Sequence, residues 1–366
     1  MKPIRNVCVL LALGLFLATG AFSQTVFKHS DSGVSLDQRI DWAHDQARSD
    51  RNDSYWVAYS IDRQMKEDSW MGHFSSDWKD EPTLAEVLTG RVPEENSTLR
   101  DAAKRALDRS NKKHSDRLVQ KEVVILQLFH RGVLTEINQS NIELAYNFEG
   151  HDIYWLAEAS DGESIPFLVD AYANASDTDL EEDLVTAVAV HDDRERTRPF
   201  VYGVLESNAH NDVREGAVFW MSRYESAETV RYLHGLAEND RSEDVRENAV
   251  FALSRMKTNG ALDRLIGLAQ RANDEDVREK ARFWLGQRAS KELLGDVDEG
   301  DEESKLQKQA VFALAQLDDD EGVDELIDLA HHHSNPVVRK QAIFWLGQAE
   351  SDRALDAIIE MLKAGS

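Results

Sequence analysis

The chain has 366 residues, 42% of them hydrophobic and 30% charged, with a formal net charge of −26. This composition is too apolar for a disordered chain and too charged for a membrane protein. So acidic a surface repels phosphate backbones, and no nucleic acid is expected as a partner.

The chain opens with a basic start at Lys2 and Arg5, an apolar run from Val7 to Ala18, and small residues on both sides of Phe22. This order predicts a secretory signal peptide over residues 1–23, cut before Gln24, and a secreted or periplasmic protein. The apolar run is shorter than the ~20 residues of a spanning helix, so no stable membrane insertion is expected after cleavage. Cys8, the only cysteine, lies inside this segment. The mature chain is therefore expected to lack thiols, disulfides and cysteine metal sites, and its folding must rest on burial.

Residues 24–149 contain no repeat and are expected to form a small α+β cap. Thr25–Gly33 reads as a disordered lead. A helix is predicted over 37–49, and the aromatic and branched stretch Ser54–Ile61 reads as a strand. A second helix is predicted over Leu99–Ser110. Glu122–Phe129 and Val133–Ile137, joined through Gly132, read as a hairpin.

Residues 150–366 are dominated by self-similarity. DVREGAVFWM from Asp212, DVRENAVFAL from Asp244 and DVREKARFWL from Asp276 align without gaps; KLQKQAVFAL from Lys305 and VVRKQAIFWL from Val337 follow. Weaker copies are read at Leu180 and around Ile153–Leu156. Asn211, Ser242 and Asn335 are good N-cap residues, with Pro336 suited to the first helical position. A second helix completes each unit, marked by Val230, Leu233 and Leu236, by Leu262, Leu265 and Leu268, by Val323, Leu326 and Leu329, and by Leu355, Ile358 and Met361. Each apolar stripe is too narrow to fold alone, so stacked units must share one core. Between Trp284 and Leu306 the second helix shrinks to Lys291–Leu294, followed by a protruding acidic loop, GDVDEGDEES.

The Asp-Val-Arg helix starts at 212–214, 244–246 and 276–278, each followed by an alanine-rich helix, resemble HEAT repeats, specifically the phycobilin-lyase-type HEAT-like subgroup. The resemblance implies a mainly α fold: a right-handed α-solenoid of about seven helical pairs. It also implies a non-catalytic scaffold that binds another protein or peptide segment in the cell envelope. One HEAT-repeat enzyme, deoxyhypusine hydroxylase, holds two irons through repeated His-Glu pairs. This chain has no His-Glu dipeptide, and its His-Asp pairs at His44, His151 and His191 occupy non-equivalent places. A metal-dependent oxidoreductase of that type, or a lyase, is the alternative reading.

No catalytic residue, cofactor or metal ligand is assigned. His331–His333 reads as a solvated turn. The candidate binding residues are Phe219, Phe251, Phe283, Phe312 and Phe344, which recur at one position of successive copies. On a helix this position lies away from the Val213/Ala217/Trp220 face and near Glu215. The residue after each phenylalanine alternates between tryptophan and alanine, which implies a structural period of two units. The column Arg214, Arg246, Arg278 and Arg339, broken by Gln307, reads as an internal ladder of ion pairs.

Overall fold

Aromatic and β-branched side chains are crowded into Ser54–Lys66, and that segment is a central strand, β2, of a five-stranded sheet. The computed structural model describes residues 24–29, 33–72, 82–91, 117–295, 302–317 and 320–364. The predicted helix at Leu99–Ser110 and the signal segment 1–23 lie outside the described residues. The chain divides into two compact units, one ending at Thr197 and one beginning at Arg198.

In the first unit, helix α1 (Leu36–Ser49) starts at a capping box made by Ser35 and Gln38. β2 pairs antiparallel with β3 (Leu118–His130) along its whole length, and β3 pairs with β4 (Val133–Asn141). Arg131 and Gly132 join β3 to β4 at φ 51° and 79°. Two positive φ values make the turn whose twist suits a two-residue hairpin. β5 (Asp152–Glu158) pairs parallel with β2, and β1 (Val26–Lys28) pairs parallel with β5.

Thr25–Gly33 is not a disordered lead: Val26–Lys28 is an edge strand, Thr25 N–H donates to Asp152 at 2.9 Å, and Phe27 stacks on Tyr154. Ile153–Leu156 is not a helical repeat copy: all four side chains are buried in β5, on both faces of the sheet. Helices α2 (Asp161–Ala173) and α3 (Thr178–Ala189) follow, the latter being the weak copy read at Leu180. Helix α4 spans Arg194–Glu206.

The second unit contains helices α5 (Asn211–Met221), α6 (Ala227–Asn239), α7 (Glu243–Arg255), α8 (Ala261–Arg271) and α9 (Glu275–Leu294). It continues with α10 (Glu302–Ala315), α11 (Asp320–His332), α12 (Pro336–Gln348) and α13 (Asp352–Ala364). The predicted caps hold at Ser242 and Asn335; at α5 the cap is His210, one residue before the predicted Asn211. Lys291–Leu294 is not a separate short helix but the last turn of α9, and Glu302–Ser304, expected in the acidic loop, are helical.

The first helices of the repeats form one layer and the second helices another, with a shared core of Val213, Ala217, Leu233, Val245, Leu265, Ala281 and Ile358. Their order in space differs from their order in the chain. The helix laid beside α9 is α12, and α10 lies beyond it. The first layer thus runs α5–α7–α9–α12–α10. α9 has no second helix of its own, and α13 packs against α9 in that place. The residues at the α9–α12 crossing explain the choice. Gly286 and Gly347 meet so closely that a Cβ at 286 would lie 3.0 Å from the Gly347 Cα, and one at 347 would lie 3.2 Å from the Gly286 Cα. The equivalent positions in the other first helices carry Ser222, Ser254 and Ala315. Only α9 and α12 have the pair of glycines that lets their backbones approach.

α7–α9 and α10–α12 are also two copies of one module. An offset of 61 residues superposes Ala249-Val-Phe-Ala-Leu253 on Ala310–Leu314 and Phe283-Trp-Leu-Gly-Gln287 on Phe344–Gln348. The two copies meet through the same glycine, in a reciprocal contact of the kind a two-fold axis produces.

Candidate interaction surface

Each first helix is anchored at its start before it presents anything to solvent. Arg214 donates to Leu205 O and, through both terminal nitrogens, to the Asp240 carboxylate. Burial opposes ionisation of Asp240, but the hydrogen bonds from Arg214 and from Ser242 N–H outweigh it and hold the carboxyl below its usual range. Arg246 repeats the pattern, donating to Asp240 O at 3.0 Å and pairing with Asp274 at 2.7 Å. Arg278 and Arg339 donate to the carbonyls of the turn before them, at 2.7 Å to Ala272 O and 2.7 Å to His333 O. Gln307 keeps the contact in neutral form: its Oε1 accepts from Asn335 Nδ2 at 2.6 Å, where Arg246 has Asp274. Arg214 and Arg246 thus link successive turns through carboxylates, as the ladder reading expects, whereas Arg278 and Arg339 hold backbone carbonyls of the turn before them.

This anchoring fixes where the phenylalanines fall. Phe219 and Phe312, at 48% and 47% exposure, are among the most exposed large apolar side chains. Phe251, Phe283 and Phe344 are half-buried. The middle three are therefore partly lateral packing. Phe251 lies against Trp284 with ring centroids 4.6 Å apart, and Phe283 meets Trp284 edge-on at 4.9 Å. Phe283 reaches Phe344 at 6.3 Å, Phe344 reaches Trp345 at 5.1 Å, and Trp345 reaches Phe312 at 5.2 Å. Six rings form an unbroken band across α7, α9, α12 and α10. The Phe251–Trp284 and Phe312–Trp345 contacts are equivalent under the 61-residue offset, so the band is pseudo-palindromic about Phe283 and Phe344. Trp284 and Trp345 are half-buried members of the band. Trp220, at 7% exposure, is buried instead.

Beside the centre of the band lies a cleft of about 360 Å³, bounded by Glu279, Lys280, Arg282, Phe283, Trp284 and Gly347. Arg282 pairs with Asp352 at 2.9 Å and Lys280 with Glu247 at 2.6 Å. Charged side chains thus share the lining of the cleft with the Phe283 and Trp284 rings.

Among the described residues the histidines do not converge. His44 shares a hydrogen bond with Tyr55 OH, and His332 pairs with Asp328. His191 is buried in a chain in which Tyr59 OH donates to Ser164 Oγ, Ser164 donates to His191 Nε2, and His191 Nδ1 donates to Val188 O. Among the described residues no three histidine, cysteine or acidic side chains are grouped to hold a metal. No described helix is long and apolar enough to cross a membrane.

With the two-layer array established, a family comparison identifies its repeat. Residues 198–286 and 292–366 match the model of HEAT repeats. The second unit is an array of HEAT repeats. The matched segments are the second unit, including the reversed α10–α13 portion. No curated protein matches the chain. Among solved structures, human deoxyhypusine hydroxylase in complex with glycerol is similar at 16% identity over 55% of this chain and 82% of that one, with a TM-score of 0.23. At that score the likeness carries no argument about chemistry.

The glycine pair has no place in the sequence-based expectations, and the tryptophans of the band appear there only as an alternation with alanine. The signal was available: of five aligned copies, only those at 276 and 337 have Gly after Phe-Trp-Leu.

Proposed function

We propose that this HEAT repeat protein is a non-catalytic, extracytoplasmic scaffold that captures another protein through its aromatic band. The observation that carries the reading is the band itself: six rings in series on partly exposed positions, ending at the exposed Phe312. Aromatic side chains supply most of the energy of protein recognition when a partner desolvates them. The signal-like start supports export, and the acidic surface favours a partner that is not a polyanion.

The test is capture from the envelope fraction of the source cell by the chain from Gln24 onward. Phe312→Ser, at the exposed end of the band, should weaken capture at least tenfold while helical circular dichroism and Tm stay nearly unchanged, since this ring is 47% exposed. Trp220→Ala, a buried ring outside the band, should instead cost roughly 3–5 kcal/mol of stability. Undiminished capture by the Phe312→Ser variant would sink the reading.

A further inference from the structure

We propose that the cleft beside Arg339 binds a carboxylate carried on a short apolar chain, a medium-chain fatty acid. The arginine column shows what this position takes. Arg214 gives both terminal nitrogens to the Asp240 carboxylate. Arg246 holds a carbonyl of its own turn with Nη1 and reaches the Asp274 carboxylate with Nη2. Arg339 stands at the same place in the last copy and keeps the half of this pattern that lies within its own repeat. Its Nη1 donates to His333 O at 2.7 Å and to Ser334 O at 3.2 Å. Among the described residues no carboxylate reaches its Nη2. The side chain is half-buried, so this charge has lost part of its hydration without gaining a counter-charge. A carboxylate is the group whose charge and geometry supply both.

The walls around Arg339 fix the rest of the ligand. It lines a cleft of about 330 Å³ with Leu293, Leu294, Ile343 and Met361. Leu293 and Leu294 belong to the last turn of α9, Ile343 to α12 and Met361 to the last turn of α13. Leu293, at 40% exposure, has apolar surface left to cover. The volume lies at the lower end of small-ligand sites and suits one short chain rather than a peptide of several residues. The helices that end at the cleft carry basic residues in their last turns: Lys291 in α9, His331 in α11 and Lys363 in α13. These offset the negative ends of those helices, so the approach of a carboxylate is not opposed there. The net charge of −26 disfavours polyvalent anions such as phosphates. A monoanion with an apolar tail satisfies the guanidinium and the leucines together. The cleft shares no residue with the aromatic band, so its test is independent of the capture experiment.

Isothermal titration calorimetry of the chain from Gln24 onward with sodium decanoate, kept below its micelle concentration, should show a single saturable site. Decanol, which has the same tail and no carboxylate, should bind at least tenfold more weakly. Arg339→Gln should weaken decanoate at least tenfold with circular dichroism and Tm unchanged, since Gln307 holds the same place in the preceding copy. Leu293→Asp, on the exposed wall, should do the same, and it decides alone if Arg339→Gln unfolds the chain. Arg278→Gln removes the other arginine of the column that holds carbonyls, and should leave the affinity unchanged. The absence of saturable binding overturns the proposal, as does decanol bound as tightly as decanoate. Binding that survives both Arg339→Gln and Leu293→Asp overturns it by placing the acid elsewhere. A peptide ending in a free leucine carboxylate that binds where decanoate does not would also overturn it and give the cleft to a protein C-terminus.

Discussion

His191 shows how a single side chain can tie the first unit to pH. It bridges α2 and the end of α3, with Ser164 Oγ 2.8 Å from Nε2 and Val188 O 3.1 Å from Nδ1. Burial is the main cause that pushes its pKa down to about 4. The unfolded chain protonates this histidine near 6.5, so between the two values the unfolded state binds more protons. Stability contributed by the neutral ring is therefore complete above about pH 6.5 and is lost as pH falls toward 4. A loss of roughly 2–3 kcal/mol is expected from this residue across that window. Urea unfolding of the first unit at pH 7.5 and pH 4.5 reads it. The His191→Gln variant should show a smaller difference between the two pH values; an unchanged difference would assign the acid lability to other groups. Nothing local in the sequence marks this residue, because a His-Asp dipeptide at 191–192 looks the same whether the imidazole is solvated or buried.

Helices obeyed their local signals closely. Caps at Ser242 and Asn335, the apolar spacing of the second helices and the glycine turn at 132 were legible because each depends on residues within a few positions. Pairings between distant elements were not. Val26–Lys28 becomes a strand only because β5, more than a hundred residues later, offers it an edge. Ile153–Leu156 looks like a fragment of an apolar helix because a short buried run has no period to distinguish the two. α9 and α12 likewise look like ordinary successive repeats until the glycine they share is noticed. A side chain at that glycine has no room against the facing backbone. Gly286→Leu should therefore destabilise the second unit by roughly 1–3 kcal/mol. Ser254→Leu, at the equivalent half-exposed place in α7, should stay within about 0.5 kcal/mol. Urea midpoints for the two variants settle the comparison, and equal effects would mean that α9 and α12 do not cross there.

At the scale of the whole second unit, a missing second helix has reordered the array. A regular HEAT array stacks each repeat on its predecessor. Here α9 ends without a partner helix, the next repeat is passed over, and α13 fills the vacancy while α12 docks on α9. That arrangement joins two aromatic half-bands at Phe283 and Phe344, 6.3 Å apart. The binding surface follows from it. The most direct measurement is cross-linking of introduced cysteine pairs in the chain from Gln24 onward, which has no cysteine of its own. Phe283→Cys with Phe344→Cys should be bridged within one chain by a short bis-maleimide, linking the α9 and α12 peptides in the mass spectrum, because the two rings they replace are neighbours. Phe283→Cys with Phe312→Cys should not be bridged. The opposite outcome, a bridge from 283 to 312 and none to 344, would mean that the repeats stack in chain order, and the aromatic band would be lost with that result.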